Sequence, residues 1–378
     1  MRTKQTVNAR IVIAVCVLLL SGLAPVLGVS MTPGATVELT PATAPGDTQI
    51  QLALDQLPAT GGTVLLDPGV YQIRHPLYLH RNGMSLRGSG DATVLHLADR
   101  ADCPVLILGY MEHAPAQAIQ DLHVSDLVID GNRSHQLMEQ WQDPRNTSGI
   151  ENNGLMIQGV SNSTVERVVA AHCRSGGLVT ANGTRNLTVS EFTAFDSQFD
   201  GLACYKTENS VFTKLNLHDN QCAGISLDLD FNHNLVSDST ITGNDLGIFM
   251  RDSFKNQFLN LSITQSRHDG VFIAQWVRSQ PKGWAYIPET QCADNQFDGL
   301  KIQDCAGMAF CVHDATCVNN VVHDGIFSGN LHDQLVQMGA KLVHMQDLLK
   351  AKPVMAQQHE AMAHPNHDLA DVTTKGGG

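Results

Sequence analysis

The sequence lacks a pair of cysteines in C-x-x-C spacing, and beyond its first thirty residues it lacks any apolar run long enough to span a bilayer. The missing cysteine spacing argues against a structural zinc site. Basic residues are also few, 24 against 37 acidic residues, which gives a formal net charge of −13 at pH 7. A chain this acidic binds nucleic-acid phosphates poorly. We therefore expect no nucleic-acid partner, and an acidic substrate would need a local basic site.

The N-terminal segment has the pattern of a signal peptide. Three basic residues lie among the first ten, an uninterrupted apolar run extends from Ile11 to Leu20, and small residues follow near Gly28. The apolar run is too short to span a membrane. We expect residues 1–28 to be removed, which would leave a secreted or periplasmic protein with a net charge of −16 and no membrane partner. A retained membrane anchor is the alternative.

Eight cysteines would remain in the mature chain, and their state is open. An exported protein can pair its cysteines, but cysteines also serve as small buried apolar side chains. They are Cys103, Cys173, Cys204, Cys222, Cys292, Cys305, Cys311 and Cys317.

A repeat of about 23 residues is the strongest pattern in the chain. Glycines that each open a short apolar phrase recur at spacings of 23, 24, 23, 23 and 23 residues. The phrases alternate with period two and are rich in Val, Ile, Phe and Thr, which is typical of strands and not of helical repeats. Three-sided coiling of short parallel strands fits this period. The sequence therefore predicts an all-β fold, a single-stranded right-handed parallel β-helix of roughly ten coils over residues 45–330. The repeat glycines are Gly154, Gly177, Gly201, Gly224, Gly247 and Gly270.

Asparagines recur eight to ten residues after most of these glycines, and we expect them to stack in an internal or turn ladder where the chain bends. They are Asn162, Asn186, Asn209, Asn232 or Asn234, and Asn256.

The open ends of such a solenoid need caps. Residues Thr48 to Leu57 read as an amphipathic helix with Asp47 as its N-cap, which would cover the first coil. Residues 331–352 have helical apolar spacing and would form a C-terminal helix. The polar tail, residues 353–378, is expected to be disordered.

Residues 61–90, GGTVLLDPGVYQIRHPLYLHRNGMSLRGSG, resemble the opening coils of the pectate-lyase-like (pectin-lyase-like) β-helix superfamily. The phrase DLVIDGN at residues 126–132 is similar to the equivalent phrase in mannuronan C5-epimerases. The resemblance extends over roughly residues 45–330 and implies a carbohydrate-active fold. Because this superfamily contains lyases, hydrolases, epimerases and non-enzymes, the fold alone does not fix the function.

The catalytic motifs of two enzyme groups in this superfamily are missing. Mannuronan C5-epimerases carry a Tyr-Gly-Phe-Asp-Pro-His motif, whereas the matching stretch here, residues 175–181, reads SGGLVTA. The Asp-Gly pair of the next coil is present as Asp200-Gly201. The two-Asp and Gly-His-Gly motifs of polygalacturonases are also absent.

Strand alternation predicts which side chains leave the coil. Positions one and three after each repeat glycine are apolar and would face the core, so position four would face solvent. Tyr205, Asp228 and Arg251 would then stand at position four of three consecutive coils, with Asp200 and Lys206 nearby. We predict these five as catalytic residues. The full position-four column reads Gln158, Ala181, Tyr205, Asp228, Arg251 and Ala274.

These residue types suit two ways of cleaving a polysaccharide. A uronate lyase needs a cation for the sugar carboxylate, a base and a proton donor. An inverting glycosidase needs two carboxylates about 6.5–9.5 Å apart. The alternative is a solvated face whose exposed ion pairs contribute under about 1 kcal/mol.

Two insertions that break the repeat, Arg133 to Gly149 and Trp276 to Cys292, contain all three tryptophans of the chain. Flat aromatic faces beside a groove suit sugar stacking, although the insertions would otherwise simply pack on the helix surface. The predicted substrate-binding residues are Asp252, His268, Gln275, Trp276, Trp284 and Trp141.

Calcium is the one cofactor that the sequence suggests, with Asp228, Asp230 and Asp252 as candidate oxygen ligands.

We predict an exported protein that binds and cleaves a polysaccharide containing uronate, as a lyase or a hydrolase. A polyuronate C5-epimerase and a non-catalytic carbohydrate-binding or surface protein are the alternatives, and the oligomeric state is open. On an exposed site, Asp228→Asn and Arg251→Ala would leave folding intact and lower turnover at least about 100-fold.

Overall fold

The computed structural model describes residues 34–41, 46–111, 115–137, 152–274, 292–313 and 317–337. Within these ranges the chain forms one α-helix, a short 3-10 helix at Arg133–His135 and 35 β-strands. The strand pairs are parallel, and successive coils pass through the same three sheets. The described residues therefore form the right-handed parallel β-helix that the repeat predicts.

The strands divide among three sheets of different length. The ten-stranded sheet contains Leu77–Leu79, Leu106–Gly109, Leu155–Gln158, Leu178–Ala181, Leu202–Tyr205, Ala223–Asp228, Leu246–Arg251, Val271–Ala274, Met308–Val312 and His332–Gln337. The six-stranded sheet contains Ile119–Gln120, Val160–Ser161, Thr184–Arg185, Thr207–Glu208, Phe231–Asn232 and Ser253–Phe254. The nineteen-stranded sheet contains Thr36–Leu39, Gly62–Leu66, Gly69–Ile73, Met84–Arg87, Thr93–Leu97, His123–Asp130, Thr164–Ala171, Thr188–Ser190, Thr193–Phe195, Val211–Thr213, Asn216–His218, Leu235–Ser237, Thr240–Thr242, Gln257–Leu259, Ser262–Thr264, Gln296–Asp298, Lys301–Gln303, Val321–His323 and Ile326–Ser328.

The repeat glycines lie at equivalent places in the ten-stranded sheet, as predicted, and close contact between coils explains why they are glycine. A Cβ on Gly247 would lie 2.3 Å from the carbonyl oxygen of Gly270 and 2.4 Å from Cγ2 of Ile263. The same carbonyl contact recurs at Gly154, where a Cβ would lie 2.8 Å from the oxygen of Gly177. Only a residue without a side chain lets the coils stack at this point.

The core fills the inside of the coil. Positions one and three of the ten-stranded sheet face it, as the alternation predicts; Ile248 and Met250, for example, are fully buried. Aromatic rings stack along the axis, and the ring centroids of Phe258 and Phe297 lie 4.5 Å apart. Burial of this apolar surface is the main stabilising contribution in such a fold.

The recurring asparagines form two neighbouring columns, not one. Asn162, Asn186 and Asn209 occupy left-handed turn positions, with φ between 50° and 51°. The internal ladder lies one residue later, where the side chains of Asn234 and Asn256 are buried. There the backbone N–H of Asn234 donates to Oδ1 of Asn256 at 3.0 Å.

An α-helix at Gly46–Gln56 covers the first coil, close to the predicted range. Ile50 and Leu54 are fully buried against the core. Asp47 lies in the first helical turn, where one of its oxygens accepts the N–H of Thr48 at 2.9 Å. This local bond satisfies one of the free donors at the helix N-terminus.

The predicted C-terminal helix is wrong where the chain can be described. Residues His332–Gln337 form a strand that pairs in parallel with Met308–Val312. The open edge of the preceding coil supplies hydrogen-bond partners for this backbone, and that pairing overrides the helical spacing of the side chains. Residues 338–352 lie outside the described ranges.

Several other predictions fall on residues outside the described ranges. They concern the signal peptide at residues 1–28, the tail at residues 353–378, and the side chains of Trp141, Gln275, Trp276 and Trp284. In the described ranges, no helix is long and apolar enough to cross a membrane.

Candidate functional site

The register of the ten-stranded sheet aligns the predicted charged column. Tyr205 pairs with Asp228, and Arg251 pairs with Ala274. Asp228 and Arg251 lie opposite each other because the residues before them, Leu227 and Met250, are paired. The column therefore runs along three adjacent coils and points away from the core.

The expectation that this column faces solvent is wrong. Tyr205 is 3% exposed and Asp228 is 1% exposed. Tyr205 packs in an apolar cluster on the outer face of the sheet, and Phe249 lies in another cluster on the same face. Alternation decides from which face a side chain leaves, but long-range packing decides whether that face is covered.

Four of the five predicted catalytic residues surround one small cavity: Asp200, Tyr205, Asp228 and Arg251. The cavity measures about 10 Å³, which is room for roughly one water molecule. Lys206 does not line the cavity. Its backbone has a left-handed φ of 47°, and its side chain is exposed.

Four further residues complete the cavity wall: Phe199, Cys222, Ser226 and Phe249. Ser226 and Phe249 stand at position two after their repeat glycines, which shares the outer face with position four. Reading that second column in the sequence would have found them. Phe199 and Cys222 precede their glycines by two residues and carry no comparable signal.

An ion pair joins two of the cavity residues. Nη2 of Arg251 contacts Oδ2 of Asp228, and the side chains are 12% and 2% exposed. The guanidinium carbon also lies 4.8 Å from the centroid of the Phe249 ring, over its face. The aromatic ring thus holds the guanidinium beside the carboxylate through a cation–π contact.

Both cavity carboxyls have strongly perturbed acidity. Burial raises the pKa of Asp228 to about 7, even though the Arg251 guanidinium acts in the opposite direction. Burial also raises the pKa of Asp200 to about 7, opposed by the Ala223 N–H that it accepts and reinforced by the charge of Asp228. The charge of Asp228 thus raises the pKa of Asp200, and the charge of Asp252 raises the pKa of Asp228, because like charges repel in a poorly solvated site.

The charges in the cavity balance only if one carboxyl keeps its proton. Arg251 can compensate one negative charge, and it contacts Asp228 directly. Asp200 instead accepts a hydrogen bond from the neutral backbone N–H of Ala223 at 2.9 Å. Near neutral pH the arrangement therefore favours ionised Asp228 beside protonated Asp200, a proton donor and a base side by side.

The remaining predicted site residues lie elsewhere. Asp230 is exposed, Asp252 is 3% exposed, and neither lines the cavity. His268 bonds through Nδ1 to Asp245 at 2.9 Å and is also outside the cavity wall.

The described residues give no support to a calcium site at the predicted carboxylates. The carboxylate of Asp228 already forms an ion pair with Arg251. Across the described ranges, no group of three or more His, Cys, Asp or Glu side chains is arranged to hold a metal ion. The predicted ligands Asp228, Asp230 and Asp252 therefore do not converge.

Comparisons with known proteins agree with the fold. A family model described as the right handed beta helix region matches residues 116–278. A search of curated proteins finds no match to the sequence.

Solved β-helix structures resemble most of the chain. One is the A-module of a mannuronan C-5 epimerase from Azotobacter vinelandii, with 17% identity, a TM-score of 0.52, and coverage of 80% of this chain and 96% of that one. A polygalacturonase from Erwinia carotovora ssp. carotovora has 14% identity, a TM-score of 0.56, and coverage of 83% and 98%. An N-terminal fragment of bacteriophage phi29 gene product 12 has 13% identity and a TM-score of 0.60; the match covers 74% of this chain and 52% of that one.

These similarities establish the fold. The right-handed parallel β-helix that the repeat predicts is confirmed as the fold of this chain. At such low identity, the substrate and the reaction do not follow from the match.

Proposed function

We propose that the protein is an exported, carbohydrate-active β-helix enzyme that cleaves a uronate-containing polysaccharide at the cavity between Asp200, Tyr205, Asp228 and Arg251. One observation carries the proposal: two buried carboxyls with pKa values raised to about 7 share a cavity with a guanidinium and a phenol. Two similar structures, named as a mannuronan epimerase and a polygalacturonase, support a substrate of this class.

Each side chain has a role in this reaction. Arg251 binds the sugar carboxylate, since a guanidinium matches a carboxylate in shape and charge. Asp228, released from Arg251, accepts a proton from the sugar or from an attacking water. Asp200 donates its proton to the leaving oxygen. Tyr205 lies beside Asp228, and its phenol donates a hydrogen bond to the negative charge that develops on the substrate, in addition to the proton donor Asp200.

Substrate must displace groups that now fill the site. A volume of about 10 Å³ is far below the roughly 300 Å³ of an ordinary ligand pocket. Arg251 is the more exposed partner of the ion pair, and turning its side chain outward would open the cavity and free Asp228.

A non-catalytic role is the second candidate, and the same closure favours it. A buried ion pair with little space beside it is also what a structural element of the fold looks like. In that case the protein would bind carbohydrate elsewhere on its surface, without turnover.

A product assay on alginate, pectate and neutral glycans tests the proposal and separates the alternatives. Absorbance from an unsaturated uronate indicates a lyase, and new reducing ends without it indicate a hydrolase. Altered uronate configuration without cleavage indicates an epimerase, which contradicts cleavage but keeps the substrate class. Binding without any of these products indicates the non-catalytic alternative.

Matched variants connect the activity to the cavity. Asp200→Asn removes the proposed proton donor and should lower turnover at least about 100-fold. Asp230→Asn changes an exposed carboxylate two residues after Asp228 that does not line the cavity, so it should leave turnover unchanged. Asn also accepts the left-handed φ of 69° at that residue. Equal activity of both variants would place the reaction elsewhere. Loss of activity with a calcium chelator would point to a metal-assisted reaction.

A further inference from the structure

Two cysteines occupy equivalent positions on adjacent coils near the C-terminal end of the described helix. Cys292 and Cys317 each precede an asparagine of the internal ladder by three residues. These asparagines are partners: the side-chain amide of Asn295 donates to Oδ1 of Asn320 at 2.9 Å, and its backbone N–H donates to the same oxygen at 3.2 Å. The ladder thus aligns the two cysteines.

The backbone confirms this register. The N–H of Asp294 donates to the carbonyl of Val318 at 3.1 Å. At this bend, the backbone N–H of a residue donates to the carbonyl of the residue that precedes its register partner. His233 shows the rule: it lies opposite Lys255, and its N–H donates to the carbonyl of Phe254. Asp294 therefore lies opposite residue 319, which places Cys292 opposite Cys317.

Register partners in a parallel sheet have the spacing of a disulfide. Adjacent strands lie about 4.8 Å apart, within the roughly 4.4–6.8 Å range of Cα separations in disulfides. Both side chains point into the core, with exposures of 0% for Cys292 and 1% for Cys317. The two thiols are close enough to hydrogen-bond, and burial together with the Cys317 thiol raises the pKa of Cys292 well above its usual range.

We propose that Cys292 and Cys317 form a disulfide when the protein folds in an oxidising compartment. One sulfur–sulfur bond replaces two S–H bonds, and the two electrons and two protons pass to the disulfide of an oxidoreductase or of oxidised glutathione, which leaves as a dithiol or two thiols. Because a buried thiol of raised pKa forms little thiolate, the exchange takes place during folding, before this coil closes.

The bond has a local consequence for the architecture. Cys292 is the last residue of the insertion that contains Trp276 and Trp284, and it lies within the described ranges. A disulfide to Cys317 fixes the end of that insertion to the next coil. It also joins two of the last coils within the described ranges, where each repeat is stabilised by contacts with its neighbours.

Peptide mapping of the full chain tests the proposal. The protein is refolded in a glutathione redox buffer, then unfolded in N-ethylmaleimide to block free thiols, and digested without reduction. The expected result is one linked peptide that joins Cys292 to Cys317. Recovery of both cysteines as alkylated thiols, or of either one linked to a different cysteine, would overturn the proposal.

Thermal unfolding gives a second readout. Reduction of the wild-type protein should lower Tm by several degrees, because the closed loop restricts the unfolded chain. The Cys292→Ala/Cys317→Ala double variant should lose this dependence on reductant, whereas Cys173→Ala, which removes an equally buried thiol, should keep it. An equal Tm shift on reduction in the wild type and the double variant would contradict the bond.

Discussion

Asp228 and Arg251 lie opposite each other on adjacent coils and form an ion pair that is almost fully removed from water. Removing two charges from water costs several kcal/mol for each ion, and their mutual attraction offsets that cost only while both are present. The pair is therefore sensitive to the loss of one partner. The expectation that Arg251→Ala leaves folding intact rested on an exposed column, which the burial of this pair contradicts. We now expect the loss of Arg251 to destabilise the fold.

Replacing Arg251 with methionine should lower the free energy of unfolding by about 3 kcal/mol at pH 8, where Asp228 is ionised and loses its counter-charge. The double variant Asp228→Leu/Arg251→Met should recover most of this loss, since an apolar pair needs no solvation. Denaturant unfolding at equilibrium measures both values.

The exposed pair of Lys214 and Glu191, with Nζ and Oε1 3.3 Å apart, provides the control. Lys214→Met should cost less than about 1 kcal/mol. A similar cost for Lys214→Met and Arg251→Met would mean that burial adds nothing to the Asp228–Arg251 pair.

The internal asparagine ladder should contribute strongly to stability. Nδ2 of Asn256 donates to the carbonyl of Phe231 at 2.8 Å and to Oδ1 of Asn295 at 2.9 Å, and its own Oδ1 accepts the N–H of Asn234. Asn256→Ala leaves buried partners unsatisfied and should lower the free energy of unfolding by about 3 kcal/mol. Asn216→Ala removes an exposed amide and should change it by less than about 0.5 kcal/mol, which the same unfolding experiment compares.

The repeat made most of the fold predictable. The glycine at position zero and the apolar residues at positions one and three follow from contacts between neighbouring coils, such as the approach of Gly247 to the carbonyl of Gly270. These contacts recur every turn, so they leave a period in the sequence. The alignment of Tyr205, Asp228 and Arg251 followed from the same period.

Features that occur once were not predictable in this way. The burial of Asp228 depends on what covers the outer face, and no periodic pattern encodes that cover. The strand at His332–Gln337 depends on the free edge of Met308–Val312 and not on its own spacing. The equivalence of Cys292 and Cys317 is hidden because the Trp-containing insertion separates both from the regular coils before it, and their own spacing of 25 residues differs from the 23-residue period.

Protonation of Asp200 should stabilise the fold at acidic pH. Its folded-state pKa of about 7 lies above the ordinary value of 3.8, so the folded state binds this proton more tightly than the unfolded state does. The resulting stability is fully present below about pH 4 and is lost as pH rises to about 7. Over that interval, the difference in free energy of unfolding between the wild type and Asp200→Asn should change by roughly 4 kcal/mol.

Denaturant midpoints measured for both proteins across this range provide the comparison. Subtracting the variant's stability from that of the wild type cancels the pH dependence of the other carboxyls. Among these is Asp126, whose pKa is lowered by its hydrogen bond to Arg167 and which therefore stabilises the fold as pH rises. A difference that stays constant with pH would show that Asp200 is not held protonated in the folded protein.

The proposed reaction should have a narrow pH optimum near neutrality. Asp200 must be protonated to act as the acid, and Asp228 must be ionised to act as the base, while both have pKa values of about 7. The rate should therefore fall below about pH 6 as the base gains a proton and above about pH 8 as the acid loses one. The acidic and alkaline limbs of the profile report the pair as a whole, because neighbouring carboxyls titrate together.

Measuring kcat/KM on the cleaved polymer for wild type, Asp200→Asn and Asp230→Asn tests this assignment. Asp230→Asn should keep the bell-shaped profile, and Asp200→Asn should lose the fall on its alkaline side along with most of its rate. A wild-type rate that is flat from about pH 5 to about pH 9 would exclude an acid and a base with these pKa values from the rate-limiting step.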